Sequence, residues 1–227
     1  MVTTATVALR SAMPLSMDAE TDGLADTDAV NVVSLFDTRS GMATSFVRTD
    51  GLDGHLIRAL DACEKNSAQQ LVTFNGTGFD FRRIAAGVAD EVDKQRAAAL
   101  ALNSYDIMLD FACDKGYYSS LNSFSQATLD EAKSLDGESA VELWRAGNHQ
   151  AVQDYCEHDA AITARLFEYG LAWGRLWRLT KSGQRRVWGL GEHGFSPASR
   201  ALRATQRCPP DTSWMTDPPN VAGTADW

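Results

Sequence analysis

The chain is poor in several things that would otherwise narrow its class. Its 227 residues hold four cysteines, Cys63, Cys113, Cys156 and Cys208, far apart and without a Cys-x-x-Cys pair. A chain of this length does not need disulfides to build a core, so a disulfide framework is not expected. Cys156 and His158 are two apart and do not face each other on a helix, which dismisses a Cys-His nucleophile. No run of about 18 apolar residues occurs, so no membrane span is expected. The first residues lack a basic stretch followed by an apolar core, so no signal peptide is expected and a reducing cytoplasm is the simplest location. Positive charge is scarce: Lys and Arg number 21 against 30 Asp and Glu, a formal net charge of −9. That argues against a strong non-specific nucleic-acid binder, because phosphate neutralisation dominates such affinity. It leaves room for an enzyme that holds a few terminal nucleotides with metal assistance.

What is present is a set of acids in three separated segments. Asp18 and Glu20 lie in Met17-Asp18-Ala19-Glu20-Thr21-Asp22-Gly23-Leu24, Asp80 closes Asn75-Gly76-Thr77-Gly78-Phe79-Asp80, and Asp159 closes Tyr155-Cys156-Glu157-His158-Asp159. Asp18 and Glu20 are two apart, and on a strand such residues share a face. Tyr155 and Asp159 are four apart in a segment that reads as a helix over residues 149–173, so they share a helical face. Asp80 follows the strand-like Leu71-Val72-Thr73-Phe74 and opens a helical pattern through Phe81, Ile84, Val88 and Val92. Singly, each piece has an ordinary explanation. Asp-x-Glu suits a solvated turn, Asp80 suits a helix N-cap, and Tyr155 with Asp159 suits a helix surface. Together, their order, contexts and spacings agree on convergence. Four converging carboxylates repel one another unless divalent cations sit between them. Hard oxygen ligands suit Mg²⁺ or Mn²⁺, and two such ions drive in-line displacement at phosphorus. The acids therefore point to a metal-dependent phosphodiesterase.

These motifs resemble the DEDD superfamily of 3′–5′ exonucleases, which have an RNase H-like fold. Asp18-Ala19-Glu20-Thr21-Asp22-Gly23 is similar to the first motif, Asn75 through Asp80 to the second, and Tyr155-x-x-x-Asp159 to the third in its tyrosine form. The histidine form needs His five residues before Asp159, where this chain has Asp154. The resemblance spans residues 13–172. It implies that Asp18 bridges two ions, that Glu20 and Asp159 hold the ion activating the attacking water, and that Asp80 supports the second ion. It further implies that Tyr155 positions that water, and that Thr21 and Leu24 border the terminal nucleotide. Asn75 and Phe79 join them as candidate substrate contacts. The implied activity is release of 5′-mononucleotides from 3′ ends of single-stranded DNA or RNA, with DNA favoured. An RNA-trimming enzyme or an endonuclease on the same fold, and a non-catalytic nucleic-acid-binding module, are the alternatives.

Charge is unevenly spread. Residues 175–207 carry eight Lys and Arg against Glu192 alone, interleaved with Trp177 and Trp188. Basic residues with aromatics suit single-strand contact, so Arg178, Arg185 and Arg186 are candidate substrate contacts. Two core-packed strands with solvated arginines are the plainer account of the same residues. Arg82 and Arg83 are a second candidate phosphate contact. An EF-hand reading of Asp18-x-Glu20-x-Asp22-Gly23 fails, because its twelfth position is Ala29.

The expected organisation is an α/β domain over residues 1–190, with an RNase H-like mixed β-sheet flanked by α-helices, and an extended Pro-containing tail over 191–227. Residues 1–12 suggest an extra strand or a loose arm. A hairpin is expected over 30–47, helices over 52–63, 79–102, 106–113, 119–129 and 140–144, and a second hairpin over 177–190.

Overall fold

The computed structural model describes residues 13–23, 25, 28–49, 53–133, 135, 137–191 and 195. The expected arm at 1–12, Leu24, and the tail other than Gly191 and Phe195 lie outside the described residues. Five strands form one sheet: β1 (Leu15–Thr21), β2 (Val30–Asp37), β3 (Met42–Val47), β4 (Leu71–Thr73) and β5 (Tyr105–Asp106). Their order is β3-β2-β1-β4-β5. The first three strands run antiparallel, while β4 and β5 lie parallel to β1. The helices are α1 (Gly54–Lys65), α2 (Asp80–Gly87), α3 (Glu91–Asn103), α4 (Ile107–Lys115), α5 (Leu121–Leu129), α6 (Gly137–Arg145) and α7 (His149–Trp173). A separate hairpin of β6 (Arg175–Leu179) and β7 (Arg185–Gly189) follows α7. This is the expected α/β class, a mixed sheet flanked by helices. Among the described residues no helix is long and apolar enough to cross a membrane.

The period of two along β1 sets the layers. Leu15, Met17 and Ala19 are buried in a core shared with Leu56, Leu60, Phe81 and Ile84 of α1 and α2 and with the alanines of α3. The alternate residues, Ser16, Asp18 and Glu20, point to the opposite face, which α7 covers. There the Ser16 hydroxyl donates to the Ala160 carbonyl at 2.7 Å, and the Cys156 thiol donates to the Asp18 carbonyl at 3.3 Å. One strand thus serves the apolar core with one side and a polar site with the other.

Two expectations are corrected. The single helix over 79–102 is two helices, α2 and α3. Val88 leaves the first with φ −90° and ψ 142° and is buried, and Asp90 restarts the chain by accepting the Val92 amide at 2.8 Å. A preferred N-cap residue inside an apolar pattern was the missed signal. The two-residue strand β5 was also not expected. It is too short to show a period, and only pairing with β4 makes it a strand.

The hairpin is held to the body by Leu176 and Trp188, which join Phe111, Phe124 and Phe167 in a second core. Trp188 meets Phe111 edge-on at 5.3 Å, and its indole N–H donates to Asp114 Oδ2 at 3.0 Å. Phe195 enters the same core and stacks on Phe167 at 5.1 Å. Trp188→Ala should cost about 3–5 kcal/mol of stability in a urea titration. A loss below about 1 kcal/mol would show that the hairpin contributes little to the core.

Candidate active site

β1 ends where its polar face meets α7. Asp18 and Glu20 lie on that face, and Asp159 comes from the middle of α7. One ligand atom from each of the three carboxylates lies within 4.8 Å of the others. Tyr155, one helical turn before Asp159, lines the same cavity of about 870 Å³. Asp80 opens α2, and its Oδ1 accepts the Ala19 amide at 3.0 Å, between Asp18 and Glu20 along the chain. The structure therefore brings together all five motif residues.

Asp80 is placed by a stiff turn. Asn75 has φ 71°, a left-handed conformation, and the turn is tied down by the buried carboxylate of Asp106. Asp106 Oδ1 accepts the Asn75 amide at 2.9 Å and the Leu109 amide at 3.0 Å, and Oδ2 accepts the Thr77 amide at 2.9 Å. Gly76 is required by close approach, since a Cβ there would meet the Thr73 side chain at 2.4 Å.

The electrostatics are those of crowded acids, Asp80 and Asp159 buried and Asp18 and Glu20 partly so. Burial, followed by Asp159, Glu20 and Asp80, holds the Asp18 carboxyl well above its usual range. Burial also pushes Glu20 up to about 8, against the pull of Lys133. Asp80 is raised to about 7 by burial and by Asp106. Tyr155 is raised by burial and by Asp159, so its phenol stays protonated at neutral pH. Asp18 Oδ2 and Asp159 Oδ1 are buried and accept no hydrogen bond. Orphaned acceptors and a donor set of hard oxygens fit a divalent cation, and Asp18, Glu20 and Asp159 are the residues to hold it.

Lys133 is a candidate site residue that sequence reasoning missed. It stands in the loop between α5 and α6, its ammonium pairs with Asp159, and it lies 5.0 Å from the Tyr155 ring centre. Burial works against its charge, but Asp159 and Asp18 outweigh burial and raise its pKa. The loop is pinned by the Lys133 amide donating to Asn122 Oδ1 at 3.0 Å and by Arg165 pairing with Glu131 at 2.7 Å. No periodicity marks such a residue; only the surplus of converging negative charge calls for a cation. A second wall was also missed. Glu138, Val141, Glu142 and Arg145 of α6 line the cavity, and Arg145 donates to the Asp22 carbonyl at 3.0 Å.

The candidate substrate contacts divide. Thr21, Asn75 and Phe79 line the cavity, and the Thr21 hydroxyl donates to the Gly23 carbonyl at 2.5 Å. Leu24 lies outside the described residues. Arg82, Arg83, Arg178, Arg185 and Arg186 do not line the cavity. Arg83 is buried with its guanidinium 4.8 Å from the Phe79 ring centre.

The raised acids set a pH dependence. Their folded-state pKa values exceed the ordinary 3.8 and 4.5, so the folded, metal-free protein binds more protons than the unfolded chain between those values and about 8. Unfolding free energy should therefore fall as pH rises through that window, and a divalent cation should stabilise more at about pH 8 than at about pH 5.5. Thermal unfolding with chelator and with Mn²⁺ at both pH values checks this. A metal-free melting temperature that rises across the window would contradict it.

A family model of the RNase H superfamily matches residues 15–171, which run from the start of β1 to near the end of α7. No curated protein gives a match. The strand order, the mixed sheet, the acids at the end of its central strand and the extent of that match together show that this chain belongs to the RNase H superfamily, a fold that generally serves the hydrolysis of phosphodiester bonds.

Proposed function

We propose that the protein is a metal-dependent 3′–5′ exonuclease that removes 5′-mononucleotides from single-stranded nucleic acid, with DNA the favoured substrate. The observation that carries this reading is the meeting of Asp18, Glu20 and Asp159 within 4.8 Å in a cavity shared with Tyr155 and Asp80. The tyrosine form of the third motif supports the exonucleolytic assignment within the superfamily. So does the α6 wall, joined to the end of β1 through Arg145 and Asp22, which bounds the cavity where a strand terminus would lie.

Two divalent ions, Mg²⁺ or Mn²⁺, would supply a water nucleophile at neutral pH and stabilise the leaving 3′ oxygen. Asp18 would ligate both, Glu20 and Asp159 one, and Asp80 would support the other. Tyr155 keeps its proton and orients the attacking water by hydrogen bonding rather than by removing a proton. Lys133 presents a fixed positive charge where the scissile phosphate gathers negative charge. Thr21, Asn75 and Phe79 form the wall against which the terminal nucleotide rests.

Digestion of end-labelled strands tests the reaction. Activity should vanish with chelator, return with Mg²⁺ or Mn²⁺, and slow when the 3′ end is blocked but not when the 5′ end is. Cleavage of circular strands as fast as linear ones would identify an endonuclease instead. Roles within the site are separable by single substitutions. Tyr155→Phe and Lys133→Met should each lower kcat by about 10²–10⁴-fold while the protein stays folded. Parental kcat in either variant would remove that residue from the mechanism.

A further inference from the structure

The basic hairpin after α7 lies apart from the acidic cavity. Its strands carry Arg175, Arg178, Arg185 and Arg186, its turn carries Lys181, and residues 175–190 contain no Asp or Glu in a chain of net charge −9. None of these five cations pairs with a carboxylate among the described residues.

The register sorts them by face. Leu176 opposes Trp188, both buried, and Arg178 opposes Arg186 farther along the same face. Arg178 covers the rings of Phe111 and Tyr117, with centroids at 5.4 and 5.0 Å, so it shapes that inner face. The outer face holds Arg175, Trp177 and Leu179 opposite Gly189, Val187 and Arg185. There the Arg185 and Arg175 guanidiniums lie 4.4 and 5.9 Å from the Trp177 ring centre, and Val187 is 53% exposed. Planar cations around an indole on an exposed, acid-free strand face suit base stacking and phosphate contact together.

The edge of β6 is tied to the helix that leads to Lys133. The Thr128 hydroxyl donates to the Trp177 carbonyl at 2.8 Å and accepts the Trp177 amide at 2.9 Å. Thr128 is five residues before Lys133, so their Cα atoms are at most about 18 Å apart. At about 3.4 Å per stacked nucleotide, that span is no more than about five nucleotides.

We propose that the outer face of this hairpin, through Arg175, Trp177 and Arg185, is a second contact for the single-stranded substrate, within about five stacked nucleotides of the end held in the cavity. The occupant rests on the nuclease reading; the surface itself is tested by binding alone. A strand fits better than an acidic protein because Trp177 offers a stacking plane and because the hairpin adjoins the loop that carries Lys133 to the cavity.

The test is fluorescence anisotropy with labelled DNA and RNA strands of about 20 nucleotides, in chelator so that nothing is cut, across a salt series. Combined Arg175→Gln and Arg185→Gln should weaken binding at least ten-fold near 0.1 M salt and reduce the slope of log K against log salt by about 1.4, at about 0.7 per lost contact. The corresponding double Lys variant should restore the slope. If the double Gln variant fails to fold, Arg185→Gln alone should weaken binding about five-fold. Hydrolysis of a dinucleotide, too short to occupy both sites, should keep its kcat/KM. Parental affinity and salt slope in the folded Gln variant would overturn the proposal, as would a parent that binds no strand. So would equally tight binding of poly-glutamate, which would make the hairpin a site for acidic protein. Strand binding through the hairpin without hydrolysis in Mg²⁺ or Mn²⁺ would contradict the nuclease reading and leave the surface standing.

Discussion

Mutual repulsion among crowded carboxylates is the constraint around which this fold is arranged. Asp18, Glu20 and Asp159 approach within 4.8 Å, with Asp80 beside them, and burial, full at Asp80 and Asp159 and partial at Asp18 and Glu20, removes water that would screen them. Such a cluster is costly without counter-charge. The protein supplies one cation from the loop before α6, Lys133, which leaves most of the negative charge and two acceptor atoms uncompensated. The deficit is the reason the site suits a divalent metal bound through oxygen ligands.

Holding like charges together requires a frame that does not yield. β1 provides it by pairing on both sides, with β2 antiparallel and β4 parallel, while its apolar side is locked into the core under α1 and α2. α7 is fastened to the polar side by Ser16 and Cys156. Asp106 fixes the turn before α2, so that Asp80 arrives with its carboxylate already bonded to the β1 backbone. A buried carboxylate that accepts three backbone amides is itself well satisfied, so Asp106 adds rigidity to the site without needing a metal.

Much of this was legible in the sequence because it depends on local period. Alternation put Asp18 and Glu20 on one face of a strand, and the helical pattern over 149–173 matches the bounds of α7 and the shared face of Tyr155 and Asp159. The two hairpins were marked by their turn residues. What escaped depends on tertiary pairing. β5 exists only through β4, and the break between α2 and α3 turns on Val88 being buried in extended conformation. Lys133 acquires its place from the carboxylates it meets, and nothing within its own segment announces that. The α6 wall is likewise an ordinary amphipathic helix until Arg145 reaches the end of β1.

The central claim is that the carboxylate cluster exists to hold divalent cations. The most direct measurement is a crystal structure grown with Mn²⁺, using its anomalous scattering to locate the ions. The account predicts a strong peak ligated by Asp18, Glu20 and Asp159, a second peak reached by Asp18 and supported by Asp80, and Lys133 drawn off Asp159. An ordered site without anomalous density, in which Lys133 remains paired with Asp159 at saturating Mn²⁺, would contradict it.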